Sequence, residues 1–196
     1  MKNRTAATAA IALTALVALS GCANAMTQSG HNPDSSPTES IVVADANSAD
    51  VMFTAMMIPH HEQAVEMADM VLEKDGIDER VVTLAQEIKA AQGPEIELMT
   101  SWLEGWGVGM TDGMDGMGHG DGMMSDSDMA DLEAADGDDA SRLFLEQMIV
   151  HHEGAIDMAE LEIDSGQNED VLALAQEVMD AQTVEISLMR SIISSL

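Results

Sequence analysis

The sequence predicts an all-α protein, a four-helix bundle made of two repeated helical hairpins, and three observations carry that expectation. The chain repeats itself: Met57-Ile58-Pro59-His60-His61-Glu62 returns 91 residues later as Met148-Ile149-Val150-His151-His152-Glu153. Apolar residues recur at three- and four-residue steps in both copies, whereas strand signals are nearly absent. One amphipathic hairpin cannot close a core, but four helices can. With no Tyr, two Phe and two Trp, that core has to be filled by Leu, Ile, Val, Ala and Met.

Residues 1–21 read as an export signal. Lys2 and Arg4 precede an apolar run from Ala6 to Leu19 that is too short to span a bilayer comfortably. The run ends in Leu19-Ser20-Gly21-Cys22, which resembles the cleavage site of bacterial lipoproteins and marks Cys22 for lipidation. Two or more acyl chains anchor a protein stably without a membrane span, so the expected location is the outer face of a bacterial membrane. Cys22 is the sole cysteine, so disulfides and thiolate metal sites are excluded. Residues 22–48, rich in Ser, Asn, Pro and Asp, have the composition of a flexible tether, in which His31 is incidental.

Residues 49–106 hold the first hairpin. Phe53, Met57, His60, Ala64, Met67, Ala68 and Val71 share a helical face, Gly76 closes that helix, and Asp78 caps the next. On the second helix Leu84, Ile88, Ala91, Leu98, Met99 and Trp102 align. A linker rich in Met, Gly and Asp covers 107–139. Residues 140–196 then repeat the plan, with Phe144, Met148, His151, Ala155 and Met158 followed by Leu174, Val178, Ala181, Leu188, Met189 and Ile192. Pro59 and Pro94 have Val150 and Val184 as counterparts. The first hairpin is therefore expected to be kinked where the second is straight.

The net charge is −29, and removal of the signal, with Lys2 and Arg4, makes it more negative by two. Such a field repels nucleic-acid phosphates and anionic lipid while concentrating cations. Nucleic acid is excluded as a partner and metal ions are favoured, although solubility alone also accounts for the charge.

Four of the six histidines form two adjacent pairs at equivalent places, His60 with His61 and His151 with His152. At about 100° per residue, one imidazole of each pair points inward and the other lies at the edge of the apolar stripe. Met57 and Met148 precede the pairs by three residues; Met67 and Met158 follow by seven. Glu95 and Glu185 sit near the middle of the apolar stripe of the second helix in each hairpin. A carboxylate there needs an imidazole or a metal opposite it. Gln92 and Gln182 lie on the same face as orienting donors. Two readings remain open: metal ligands, or histidines and carboxylates satisfied by each other with no metal.

Methionines in helices commonly serve as adaptable packing. In the linker they have no such role, because Met110, Met114, Met117, His119, Met123 and Met124 stand among Gly and Asp that cannot form a core. Thioethers select copper(I) or silver(I) over iron, magnesium or calcium. The linker is thus expected to capture soft metal, the alternatives being biased composition or sacrificial oxidation.

The motifs Met-Ile-x-His-His and Leu-Ala-x-x-Ile-x-x-Ala-Gln-x-x-Glu-Ile-x-x-Met occur in order, in recognisable form, over 50–104 and 143–192. In these the chain resembles the ferritin-like domain-of-unknown-function 305 family of exported bacterial proteins. The resemblance implies a four-helix bundle and binding of copper or silver outside the cytoplasm. It points to His60, His61, His151, His152, Met57, Met67, Met148 and Met158 as ligands. The long insert between the halves and the missing second-repeat prolines depart from the pattern and leave the number of ions open.

The leading expectation is a lipid-anchored copper(I) or silver(I) protein that sequesters or chaperones metal, with a homodimer or a copper-handling partner protein as possible associates. A ferritin-like di-metal oxidase is disfavoured. Glu-x-x-His is required there, and Met57, Ile58, Met148 and Ile149 occupy the position three before each histidine. A metal-free, lipid-anchored interaction module is the third reading.

Overall fold

The computed structural model describes residues 45–109 and 122–196, in which five helices follow one another. They are α1 (Ser48–Leu72), α2 (Glu79–Trp106), α3 (Asp126–Ala134), α4 (Gly137–Ser165) and α5 (Glu169–Ile193). The ends are set by local chemistry. Asn47 accepts the N–H groups of Ala49 and Asp50, and Asp50 reciprocates by accepting that of Asn47, a capping box that starts α1. Asp78 and Asn168 cap α2 and α5 in the same sense. Gly76 turns the first hairpin with a φ of 77°, and Gly107 ends α2 with a φ of 71°, both left-handed values that suit a residue without a side chain.

α1 packs on α2, α4 on α5, and α1 on α4. Residues 51–58 of α1 cluster with residues 155–159 of α4, and residues 64–71 with 144–148, so α1 and α4 run antiparallel. Two apolar clusters result. One contains Phe53, Met57, Ile58, Met99, Met158 and Val178, and the other Met67, Leu84, Ile88, Phe144, Met148 and Met189. Each fully buried large side chain contributes roughly 1.5–3 kcal/mol. Between the clusters, at mid-length, all four long helices place polar residues: His60 and His61, Gln92 and Glu95, His151 and His152, Gln182 and Glu185. The repeat thus builds a polar layer into an apolar bundle. None of the described helices is long and apolar enough to cross a membrane.

Two expectations change. The linker is not structureless throughout, because residues 122–136 form a strap across α1 and α4. Gln63 holds the backbone of Met124 at both its N–H (2.7 Å) and its C=O (2.9 Å), and Gln147 donates to the carbonyl of Asp128 (2.8 Å). Gly122 passes so near α4 that a Cβ there would stand 2.6 Å from the Val150 carbonyl oxygen. Leu132 of α3 is fully buried, supplying the apolar anchor that the Gly-rich composition concealed. Leu98 and Leu188, placed on the core stripe by periodicity, are exposed instead at 42% and 44%. Pro59 and Pro94 both lie inside their helices, α1 and α2.

Candidate metal centre

The centre of the polar layer is a pair of imidazoles from the two halves. His60 on α1 and His151 on α4 face each other with ring centroids 3.7 Å apart and planes inclined by 38°. Each stands 6.5 Å from the neighbouring histidine of its own helix. The outer imidazoles reach the carboxylates of the flanking helices: Nε2 of His61 lies 2.7 Å from Oε2 of Glu95, and Nε2 of His152 lies 2.5 Å from Oε2 of Glu185. The result is a row, Glu95, His61, His60, His151, His152, Glu185, drawn symmetrically from the two hairpins.

All four histidines are buried. That corrects the expectation of one inward and one marginal imidazole per pair. The carboxylates also differ from expectation, lying at the rim of the layer, where Glu95 and Glu185 retain 25% and 21% of their side-chain exposure. The periodicity located the layer but not the rotation of each helix within it. A partly solvated carboxylate on a buried imidazole nitrogen avoids the cost of an isolated buried charge. It also fixes which nitrogen of His61 and His152 is engaged, leaving Nδ1 of each without a protein partner.

Neither nitrogen of His151 meets a protein hydrogen-bond partner of good geometry. Burial, reinforced by the neighbouring His60, His152 and His61, holds its pKa well below the ordinary histidine value. The ring is therefore neutral at physiological pH, the state in which imidazole offers a lone pair. Gln92 and Gln182, one turn before the two glutamates, are buried too, and their Oε1 atoms have no protein partner.

The four helical methionines expected as ligands flank this layer within the apolar clusters. Met57 and Met158 lie on one side, Met67 and Met148 on the other. In this geometry they pack the core next to the histidines. Met123 and Met124 belong to the strap, and Met124 packs against the second cluster, so it has a structural role that the linker composition did not suggest. Met110, Met114, Met117, His119, the lipidation candidate Cys22 and His31 fall outside the described residues. Among the described residues, no group of three or more His, Asp or Glu gathers as a metal cage.

A second buried polar group escaped the sequence reading. Asp50, in the first turn of α1, accepts the N–H groups of Gln167 (2.9 Å) and Asn168 (2.8 Å) in the α4–α5 turn. Burial acts to raise its pKa, but the donors at Asn47, Asn168 and Gln167 outweigh it and keep Asp50 ionised below its ordinary value. Glu162 beside it is 2% exposed, and burial together with the hydrogen bond and charge of Asp50 raises it to about 8. Asp50 thereby ties the start of α1 to the far turn, with the Glu162 carboxyl buried beside it. Two signals were available: Asn47-x-x-Asp50 as a capping box, and Glu162 on the face of Ala155, Met158 and Ala159.

Comparison with known proteins agrees with this architecture. The family model described as domain of unknown function, DUF305, matches residues 50–193. Among solved structures, a DUF305 protein from Streptomyces coelicolor, assigned as secreted, is 33% identical, with 76% of this chain and 93% of that one covered and a TM-score of 0.70. A DUF305 fragment from Deinococcus radiodurans is 29% identical over 77% and 99% of the two chains, with a TM-score of 0.68. CopM in its Cu(II)-bound form is 31% identical over 74% and 96%, with a TM-score of 0.63; Cu(I)- and Ag-bound forms of CopM match similarly. No curated protein matches significantly.

Proposed function

The chain belongs to the DUF305 family, and from that premise we propose that it binds copper(I) or silver(I) outside the cytoplasm, sequestering the ion or handing it on from a lipid anchor at Cys22. One observation carries the reading. Two imidazoles from different halves, His60 and His151, come within 3.7 Å in a buried layer whose outer imidazoles are each oriented by a carboxylate, and His151 is neutral. A ligand for this set has to accept nitrogen lone pairs and tolerate an apolar surround. A soft monovalent ion does so, since it accepts imidazole and thioether donors and does not require a cage of oxygens. Met57, Met67, Met148 and Met158, immediately beside the layer, are the thioethers that side-chain rotation brings to the ion.

The copper- and silver-bound CopM structures support the choice of metal, and the assignment of the Streptomyces coelicolor relative as secreted supports the compartment. Oxidase chemistry is disfavoured, because Glu95 and Glu185 each engage a separate imidazole and do not bridge a common position. The linker methionines, Met110, Met114, Met117, Met123 and Met124, with His119, complete the proposal as weaker capture sites.

A copper(I) titration against a chromophoric chelator tests this, using protein from residue 22 onward with Cys22→Ser. The parent is compared with a variant in which the four histidines become Gln and with one in which the methionines between 110 and 129 become Leu. The histidine variant is expected to lose the tightest equivalent and the linker variant only weaker ones. Equal uptake by all three would leave the metal-free reading standing.

A further inference from the structure

The repeat is least symmetrical at the end of the bundle where α1 begins and α4 finishes. A groove opens there, lined by Met52, Phe53 and Met56 of α1 and by Met158, Leu161 and Glu162 of α4. Met52 and Met56 are four residues apart, so their thioethers share one helical face, and Met158 lies across from them. Exposure falls from 44% at Met52 to 7% at Met158, so the sulfur donors lead from solvent inward.

Packing alone does not require thioethers at Met52 and Met56, because Leu143 and Gln147 stand at the equivalent positions of the other half; Met158 is matched by Met67. That end is also closed differently, since Gln147 is committed to the backbone of α3 and α3 lies over α1 and α4. No described helix covers the groove end in the same way. Its lining holds two carboxylates, Asp157 and Glu162, beside three thioethers. A hard divalent ion takes six or more oxygen ligands, whereas thioethers suit a soft monovalent ion.

We propose that Met52, Met56 and Met158 form a second, sulfur-only site for an ion of the copper(I) and silver(I) class, in the groove between the start of α1 and the end of α4. Met56 stands roughly 6 Å and Met158 roughly 10 Å along their helices from the histidine layer, at 1.5 Å per residue. The groove thus places metal at the surface within two turns of the imidazoles. The site shares its class of metal and the Met158 thioether with the histidine layer but none of that layer's imidazole donors, so removal of the imidazoles tells the two apart.

Silver(I), which avoids redox change, is the probe. Protein from residue 22 with Cys22→Ser is labelled with carbon-13 at the methionine methyl groups, and signals are assigned by single Met→Leu variants. The methyl signals of Met52, Met56 and Met158 are expected to move together within the first two equivalents, and M56L is expected to abolish the movement of the other two. The same three signals are expected to respond when His60 and His151 are both changed to Gln, which separates this site from the histidine layer. Stationary signals from Met52 and Met56, or a drift shared equally by every methionine, would overturn the proposal. So would a full response of Met52 and Met158 in M56L.

Discussion

In the first hairpin His61 meets Glu95 and in the second His152 meets Glu185, at nearly equal distances and nearly equal depth, yet polar residues toward the two ends of the bundle differ. Gln63, which clasps the strap, is matched by Gly154, which makes room for it. Asp50 is matched by Ser141 and Glu162 by Val71, so one end of the bundle carries two buried carboxyl groups and the other a hydroxyl and an apolar contact. What both copies hold in common is the imidazole–carboxylate layer. The layer constrains both hairpins alike, and the ends have taken separate work: a soft-donor groove on one side and a covering strap on the other.

The comparison breaks most visibly at the two hairpin turns. Gly76 needs its left-handed φ but has space around it, the nearest atom to a built Cβ being 3.5 Å away, whereas a Cβ on Gly166 would lie 2.0 Å from Oε1 of Glu162 and 2.8 Å from its carbonyl oxygen. Gly166→Ala is expected to cost about 3 kcal/mol, in the range of overpacked cores, and Gly76→Ala only about 1 kcal/mol. Urea melts of the two variants check the order. Equal losses would mean that the Asp50–Glu162 junction is looser than its geometry implies.

Next in size is the test of the shared layer. Glu95→Ala and Glu185→Ala each remove the acceptor of a buried imidazole, which costs about 1–3 kcal/mol and roughly 10–100-fold in metal affinity, as for other residues that orient a ligand. The two losses are expected to match within a few tenths of a kcal/mol. A large inequality would show that one hairpin carries the site alone.

The smallest effect sharpens the difference between the ends. Glu162 has a folded pKa of about 8 against an ordinary 4.5, so the stability its neutral form provides is intact below the lower value and lost as pH rises through the upper one. Asp50 acts in the opposite sense, supporting the fold above its ordinary pKa and ceasing to do so in acid. The melting temperature is expected to drop by roughly 5 °C between pH 6 and 9, and Glu162→Gln is expected to flatten that limb. An unchanged slope in the variant would remove Glu162 as its source.

Much of this was legible in the residues. The duplicated Met-Ile-x-His-His placed the histidines on two of the long helices, and the three- and four-residue spacing indicated four long helices. Helix rotation was not legible. Periodicity put Glu95 at the centre of its stripe and His61 at the edge of its own, whereas packing of α1 on both α2 and α4 buries His61 and leaves Glu95 at the rim. Leu98 was misread for the same reason, since a repeat spacing cannot say which neighbour a face will meet. The strap was concealed because its anchors have partners distant in sequence: Gln63 for the backbone of Met124, Gln147 for that of Asp128, and the second apolar cluster for Leu132.

The central claim is that the imidazole layer takes the metal, with linker sulfur secondary. X-ray absorption at the copper edge, on protein with Cys22→Ser and Leu at the methionines between 110 and 129, loaded with one equivalent of copper(I), addresses it most directly. The account predicts outer-shell imidazole scattering from at least two rings, lost when His60 and His151 become Gln. A spectrum fitted by sulfur alone, and unchanged in that double variant, would contradict it.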